Sequence, residues 1–135
     1  MTRFLVCLAL VFAPAVATAQ TPAELSPRQA YEHVAAGKAV LVDIRTPEEW
    51  AETGVPKGAL RLDMTDPNFV TKLDAVRRAN PGKDIAIICR TANRTALVHR
   101  ELTARGWTNL INVRGGLAGR GAERGWKADG LPIEK

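Results

Sequence analysis

The sequence predicts an α/β fold in which a small, mainly parallel sheet of four to five strands lies between layers of helices. Two short runs, AVLVDI (39–44) and DIAIIC (84–89), are apolar at consecutive positions, as in strands covered on both faces. Helical segments stand between the strands, and strands that alternate with helices usually pair in parallel. Residues 20–135 are long enough for one domain with a single core.

Residues 1–19 are interpreted as a secretory leader that precedes this domain. Arg3 is followed by an apolar run (4–13), and the small residues ATA lie just before Gln20, which is the layout of a cleavable signal peptide. A membrane span is the weaker alternative, because crossing a bilayer takes about 20 apolar residues. We therefore expect cleavage after Ala19 and a periplasmic or secreted protein without a membrane anchor.

Three predicted helices begin with the same pattern, in which a capping side chain precedes a proline: SPRQ (26–29), TPEE (46–49) and DPNF (66–69). The capping oxygen accepts a hydrogen bond from a free amide, and proline suits the first helical position. The predicted N-caps are Ser26, Thr46 and Asp66. Gln29 and Glu49 complete capping boxes, and the predicted helix ends are Gly37, Gly54 and Gly106.

The other elements give weaker signals. GALRL (58–62) and NLINV (109–113) are candidate strands. Spacings of three and four residues predict a helix face formed by Phe69, Leu73 and Val76, and a thinner one formed by Val98 and Leu102. The predicted order is therefore four helix–strand pairs followed by an irregular tail.

Chemically notable residues follow three of the strands. Asp43 and Arg45 come at the end of the first predicted strand, Cys89 ends the central one, and VRGG (113–116) follows the last. If the strands are parallel, these residues share the edge at which open α/β sheets bind ligands.

Cys89 is the one cysteine of residues 20–135, so it has no partner for a disulfide within the domain. The thiolate is the reactive form of cysteine, and a helix N-terminus together with a tight loop (89–94) would present amides to an anion. Arg90 and Arg94 add positive charge. The competing interpretation is that Cys89 is a small hydrophobic residue that ends a buried strand.

Several classes of function are disfavoured. His99 lies about 10 Å along the helix from its start, so a Cys–His hydrolase is not expected. Residues 20–135 contain two histidines and one cysteine, too few for a zinc site of the usual ligand count, and we expect neither metal nor cofactor. A net charge of +5 without a long basic run, and an aromatic content of 5%, argue against nucleic-acid binding.

Four segments, taken together and in order, resemble a single-domain rhodanese, a sulfurtransferase family. They are VDIRTPEEW (42–50), TGVPKGAL (53–60), CRTANRT (89–95) and GWTNLINVRGG (106–116). The resemblance extends over roughly residues 25–133. It implies that residues 20–135 form a single rhodanese-like domain, and the leader (1–19) makes an exported form the expectation.

The resemblance also implies an activity and a set of site residues. Cys89 would take a sulfane sulfur from a small anionic donor such as thiosulfate and hold it as a persulfide. It would then pass the sulfur to cyanide or a thiol, including a protein thiol. The implied cradle consists of Arg90, Thr91, Ala92, Asn93, Arg94 and Thr95. Asp43 and Arg45 would brace the edge of the site by a polar network.

The sequence departs from the family pattern in three places. Ala92 stands where relatives often have glycine, and a positive φ there would cost about 1 kcal/mol. The histidine of the usual GHIPGA segment is absent from GVPKGA (54–59). The glycine-rich tail is longer than usual, and it is either a mobile flap carrying Arg120 and Arg124 or a solvated loop anchored by Trp126.

Two other functions stay open on the sequence. One is a persulfide carrier or docking module for a partner protein, with little turnover of small molecules. The other is a phosphatase or arsenate reductase, although such phosphatases are described with a loop one residue longer than the segment from Cys89 to Arg94. Nothing in the sequence demands an oligomer, and a monomer is expected.

Overall fold

The computed structural model describes residues 13–15 and 20–135. The predicted leader falls mostly on residues 1–12 and 16–19, which lie outside the described part of the chain. The strands are β1 (Glu24–Leu25), β2 (Ala39–Asp43), β3 (Val55–Pro56), β4 (Leu60–Arg61), β5 (Asp84–Ile88), β6 (Leu110–Val113) and β7 (Ile133–Glu134). The helices are α1 (Pro27–Ala35), α2 (Pro47–Thr53), α3 (Phe69–Ala79), α4 (Asn93–Ala104) and α5 (Gly125–Ala128).

The predicted parallel sheet is confirmed. Five strands lie in the order β1-β6-β5-β2-β4, and each neighbouring pair is parallel. The consecutive apolar residues of β2 and β5 are almost all buried, as expected for strands covered on both faces. Asp43, the last residue of β2, is paired with Ile88, the last residue of β5. The two strands therefore end at the same level, and Cys89 follows directly.

Two hydrophobic layers enclose the sheet. On one face Ala30 of α1 and Trp126 of α5 pack with Leu41, Ile88 and Ile111. On the other face lies a second cluster to which α3 and α4 contribute; it contains Phe69, Leu73, Val98, Leu102, Ile85 and Ile87. The predicted helix faces and the three-layer α/β architecture are thus confirmed.

Two of the three predicted helix starts are confirmed, with both halves of the capping box present at Ser26 and at Thr46. The third is wrong. Asp66 accepts a hydrogen bond from the Asn68 amide at 2.8 Å and so closes a turn ahead of the helix, while α3 begins at Phe69 with Asn68 as its N-cap. The helix begins where its first apolar side chain becomes buried, because Phe69 packs into the core.

The predicted helix ends at Gly37, Gly54 and Gly106 all have positive φ angles. Gly54 is also needed for a close approach, since a Cβ there would lie 2.6 Å from the carbonyl oxygen of Glu134. Gly54 immediately precedes β3, which pairs with β7 in a small antiparallel sheet.

The tail is more ordered than the irregular segment predicted. It contains α5 and β7, and the Trp126 side chain is 1% exposed. Trp126 donates through its indole nitrogen to the carbonyl of Pro132 at 2.9 Å and meets the Tyr31 ring edge-on. This packing fixes the tail against α1. Within residues 13–15 and 20–135, no helix combines the length and hydropathy needed to span a membrane.

Candidate active site

The carboxyl ends of β2, β5 and β6 meet at one edge of the sheet, as the sequence predicted. Asp43 ends β2, Cys89 follows β5, and Gly116 lies beyond β6. A Cβ on Gly116 would lie 2.5 Å from the carbonyl oxygen of Cys89, so the segment after β6 is in direct contact with the cysteine loop. The amides of Leu117 and Ala118 donate to the carbonyls of Cys89 and Arg90 at 2.9 and 2.8 Å. We call residues 116–118 the roof segment.

The loop from Cys89 to Arg94 carries a set of amides available to a ligand. It joins β5 to α4 without a regular turn, and α4 has no side-chain cap at its N-terminus. In the part of the chain that the structure describes, the backbone amides of residues 90–95 donate to no backbone acceptor. Free amides at the start of a 12-residue helix attract an anion through their hydrogens and through the helix dipole.

Cys89 lies at the floor of this loop and not at its lip. The residue is 1% exposed and packs with Val42, Ile44 and Val98 in the second hydrophobic cluster. Its sulfur also has a polar neighbour, because Thr95 Oγ1 lies 3.5 Å from Cys89 Sγ. Toward a thiolate the threonine hydroxyl is the donor. Apolar packing therefore holds the residue, while a hydroxyl and the start of α4 lie beside the sulfur.

Ala92 adopts the left-handed conformation, with a φ of 67°. It is the one non-glycine residue with a positive φ within residues 13–15 and 20–135. This conformation costs an L-residue roughly 1–2 kcal/mol. This conformation lets the chain turn from the loop into α4 immediately after Ala92. The position at which relatives often have glycine is therefore the one in this loop where the backbone conformation favours glycine.

Arg94 closes the loop through an ion pair that the sequence did not predict. Its two terminal nitrogens donate to the two carboxylate oxygens of Glu49, both at 2.7 Å. The hydrogen bonds from Arg94 are the main reason why the pKa of Glu49 falls from 4.5 to about 2. The same pairing raises the pKa of Arg94, with a smaller contribution from Cys89.

Glu49 also completes the capping box of α2, since its carboxylate accepts from the Thr46 amide at 3.1 Å. One carboxylate therefore fixes both the start of α2 and the end of the cysteine loop. The sequence revealed only the first of these contacts. One signal for the contact between Glu49 and Arg94 was present in the sequence. TPEE follows β2, the strand next to β5, so an acidic helix start lies beside the cysteine loop.

Asp43 and Arg45 form a buried network beside the loop. The side chains of both are 1% exposed. Asp43 accepts from the Arg45 Nε at 3.0 Å and from a terminal nitrogen at 2.7 Å. Arg45 also donates to Thr53 Oγ1 and to the Gly54 carbonyl, both at 2.8 Å. These contacts join the end of β2 to the end of α2. All three nitrogens of the Arg45 guanidinium donate hydrogen bonds within the protein.

The remaining loop side chains face outward. Arg90 and Asn93 are exposed and Thr91 is half-buried. A cavity of about 370 Å³ lies next to the loop; Arg90, Glu52 and Lys127 contribute to its wall. Two larger clefts, of about 460 and 560 Å³, contain none of the loop residues and lie toward the amino ends of β5 and β6.

The histidines have structural partners away from the loop. His33 contacts Asp84 at 2.9 Å, and His99 contacts the Leu110 carbonyl at 3.0 Å. Among the described residues, no three side chains of the types His, Cys, Asp and Glu converge on a point where a metal ion would fit.

The glycine-rich segment 115–125 is bound to the site in two ways. Its roof segment is held by the backbone hydrogen bonds described above, and the guanidinium of Arg120 donates to Asn93 Oδ1 in the cysteine loop. Arg124 lies elsewhere, because it donates to the Ala128 carbonyl at 2.6 Å. Of the two arginines considered in the sequence, Arg120 is the one at the site.

These features define a class of small α/β domains with a buried cysteine and a loop of free amides at the carboxyl edge of a parallel three-layer sheet. Comparison with known proteins gives the family. The chain belongs to the family of the rhodanese-like domain, whose model matches residues 26–122. This confirms the resemblance found in the sequence.

Individual relatives agree with this assignment. The chain is similar to a sulfurtransferase from Allochromatium vinosum, with 34% identity over 96 residues that cover 70% of this chain and 77% of that protein. It is similar to thiosulfate sulfurtransferase GlpE from Actinobacillus pleuropneumoniae serotype 3, with 30% identity over 115 residues that cover 85% and 95%. The crystal structure of Rv0390 from M. tuberculosis has a TM-score of 0.67 and 28% identity, covering 84% of this chain and 98% of that chain. These matches support sulfur transfer as the general class of chemistry.

Proposed function

We propose that the protein is a sulfurtransferase that carries a sulfane sulfur on Cys89 as a persulfide. The donor is a small anion such as thiosulfate, and the acceptor is cyanide or a thiol. The observation that carries the proposal is the position of Cys89 below the free amides of the loop that Arg94 closes. A sulfur anion held there has hydrogen-bond donors, and the carboxylates of Asp43 and Glu49 beside the loop are each paired with an arginine.

The first half-reaction forms the persulfide. The Cys89 thiolate attacks the outer sulfur of thiosulfate, a new sulfur–sulfur bond forms, and the old one breaks with its electron pair leaving on sulfite. No oxidant is needed, because the sulfane sulfur is already in the required oxidation state. A disulfide-type bond is about 2 Å long, so the terminal sulfur extends from the floor of the loop toward its amides.

The second half-reaction returns the thiolate. Cyanide or an acceptor thiolate attacks the terminal sulfur, takes it as thiocyanate or as a new persulfide, and leaves Cys89 as the thiolate. The leaving thiolate is stabilised by the same amides and by the Thr95 hydroxyl, which lies 3.5 Å from the sulfur. One anion site thus serves both half-reactions.

We propose different roles for the two loop arginines. Arg94 is occupied by Glu49, so its role is to hold the loop closed around the sulfur. Arg90 is exposed and stands where a donor enters. Asp43 and Arg45 are buried and paired with each other, which suits a bracing role for both.

The test is the intact mass of the purified protein before and after incubation with thiosulfate. We expect a gain of one sulfur atom, its removal by cyanide with release of thiocyanate, and no gain in Cys89→Ser. A protein that gains no sulfur from thiosulfate or from other sulfane donors would refute the proposal. A stable adduct without turnover to cyanide or thiols would favour the carrier function in its place.

We further propose that the protein acts outside the cytoplasm after removal of residues 1–19. The support is the basic, apolar and small-residue order of this segment. The N-terminus of protein recovered from the periplasm or medium is expected at Gln20. Recovery of the full-length chain from the cytoplasm alone would contradict this.

A further inference from the structure

The positive charge that faces an incoming donor comes from few residues. Arg45 is neutralised by Asp43 and Arg94 by Glu49. Of the arginines that touch the loop, Arg90 and Arg120 form no ion pair with any residue in the described ranges (13–15 and 20–135). An anionic donor therefore meets these two guanidiniums at the mouth of the loop, with Lys127 and the carboxylate of Glu52 in the wall of the adjoining cavity.

The backbone fixes the segment that carries Arg120. The Gly119 amide donates to the Gly115 carbonyl at 2.8 Å, and residues 120 and 123 exchange two hydrogen bonds at 2.9 and 3.0 Å. Gly119 has no room for a side chain, since a Cβ would lie 2.6 Å from the carbonyl oxygens of Glu123 and Arg124. This tight hairpin projects Arg120 back onto the cysteine loop.

The partner of Arg120 on the loop is an uncharged amide. Its guanidinium donates to Asn93 Oδ1, next to the loop-closing Arg94. The nearest acid of the hairpin, Glu123, lies 3.4 Å from Arg114 instead. Asn93 thus orients Arg120 without cancelling its charge, in contrast to the way Glu49 holds Arg94.

We propose that Arg120 and Arg90 together bind the oxyanion end of the sulfur donor and select donors of high negative charge. This inference rests on the proposed function and names the donor class that the site prefers. The sulfonate oxygens of thiosulfate take over the hydrogen bond that Asn93 accepts from Arg120. The sulfane sulfur then points down the loop to Cys89, and the departing sulfite leaves with both guanidiniums beside its charge.

The experiment compares two donors in Arg120→Gln and in a matched control, Arg124→Gln. Arg124 is on the same hairpin but binds the Ala128 carbonyl and lies 3.5 Å from Asp129. The donors are thiosulfate, a dianion, and methanethiosulfonate, a monoanion, with cyanide as acceptor. The measured quantity is kcat/KM for the donor at low ionic strength.

Because Coulomb energy is proportional to the donor charge, we expect Arg120→Gln to lose about tenfold in kcat/KM for thiosulfate and about threefold for methanethiosulfonate. The thiosulfate loss should shrink as salt is added. Arg120→Lys should keep most of the activity, and Arg124→Gln should stay within about twofold of the wild type for both donors.

Equal losses for the two donors, or no loss in Arg120→Gln, would overturn the inference. An equal loss in Arg124→Gln would overturn it as well. Thermal unfolding of each variant separates a folding defect from a binding defect. Failure of the proposed function itself is recognised separately, since the wild-type protein would then gain no sulfur from either donor.

Discussion

Replacing Glu49 by Gln tests whether one carboxylate holds the cysteine loop closed. Glutamine keeps the size of the side chain and can still complete a capping box. The substitution therefore removes mainly the negative charge of Glu49, to which Arg94 donates two hydrogen bonds of 2.7 Å. The fall of the Glu49 pKa from 4.5 to about 2 corresponds to an upper limit of about 3 kcal/mol. The side chains of Arg94 and Glu49 are 33% and 25% exposed, so solvent screening reduces the expected loss of unfolding free energy to about 1–2 kcal/mol.

The sign of the pH dependence follows from the direction of the shift. The folded pKa of Glu49 is depressed, so its contribution is fully present above the unfolded pKa of 4.5 and is lost as the pH falls toward about 2. The difference in stability between wild type and Glu49→Gln should be constant from pH 7 to about pH 5 and should shrink below that.

The assay is urea unfolding of both proteins across this pH range, with Glu48→Gln as the control. Glu48 is the exposed neighbour in the first turn of α2, so it has the same charge and nearly the same relation to the helix dipole. Glu48→Gln should change stability by less than about 0.5 kcal/mol. The reasoning is refuted if the two variants lose the same stability, or if the loss in Glu49→Gln is as large at pH 3 as at pH 7.

Three further predictions concern the loop and its surroundings. Ala92→Gly should raise the unfolding free energy by about 0.5–1 kcal/mol by removing the cost of a positive φ. The control Ala96→Gly, inside α4, should lower it by about 1 kcal/mol. Urea unfolding measures both changes, and a change of the same sign in the two variants would contradict this explanation. Gly116→Ala should lower the rate of persulfide formation, measured by mass spectrometry of quenched samples, because its Cβ would lie 2.5 Å from the carbonyl oxygen of Cys89. An unchanged rate would mean that the roof segment does not shape the loop. Asp43→Asn should cost about 3–5 kcal/mol in thermal or chemical unfolding, because it leaves the buried Arg45 guanidinium without its charge partner; a loss below about 1 kcal/mol would show that the pair is not the brace of this edge.

Local signals in the sequence predicted much of the fold. The apolar runs of β2 and β5 needed no knowledge of their neighbours, because a strand covered on both faces is apolar throughout. The capping boxes at Ser26 and Thr46 were equally local, since both partners lie within three residues. Cys89 could be placed at the ligand-binding edge because the parallel topology follows from the order of the elements.

Elements that depend on distant contacts were missed. Asp66 has the capping side chain and the proline of a helix start, yet burial of Phe69 and Leu73 decides where α3 begins. The strand β7 exists only through its pairing with β3, and a local pattern does not reveal such a pairing. The tail was predicted to be irregular for this reason.

The same limit applies to the candidate site. The sequence predicted Cys89 and the loop because they form one continuous segment. Glu49 and Arg94 are 45 residues apart, and Arg120 and Asn93 are 27 residues apart. Each pair forms when separate elements fold onto one edge of the sheet. Only the structure therefore shows that Arg94 is paired with a carboxylate whereas Arg120 contacts an uncharged amide.

In the proposed reaction, Cys89 itself takes the sulfur and releases the rest of the donor before any acceptor binds. The most direct measurement is the amount of sulfite released when the protein is mixed with excess thiosulfate in the absence of cyanide and thiols. We expect one sulfite for each protein chain and none from Cys89→Ser. Sulfite release that requires the acceptor, or that persists in Cys89→Ser, would contradict it.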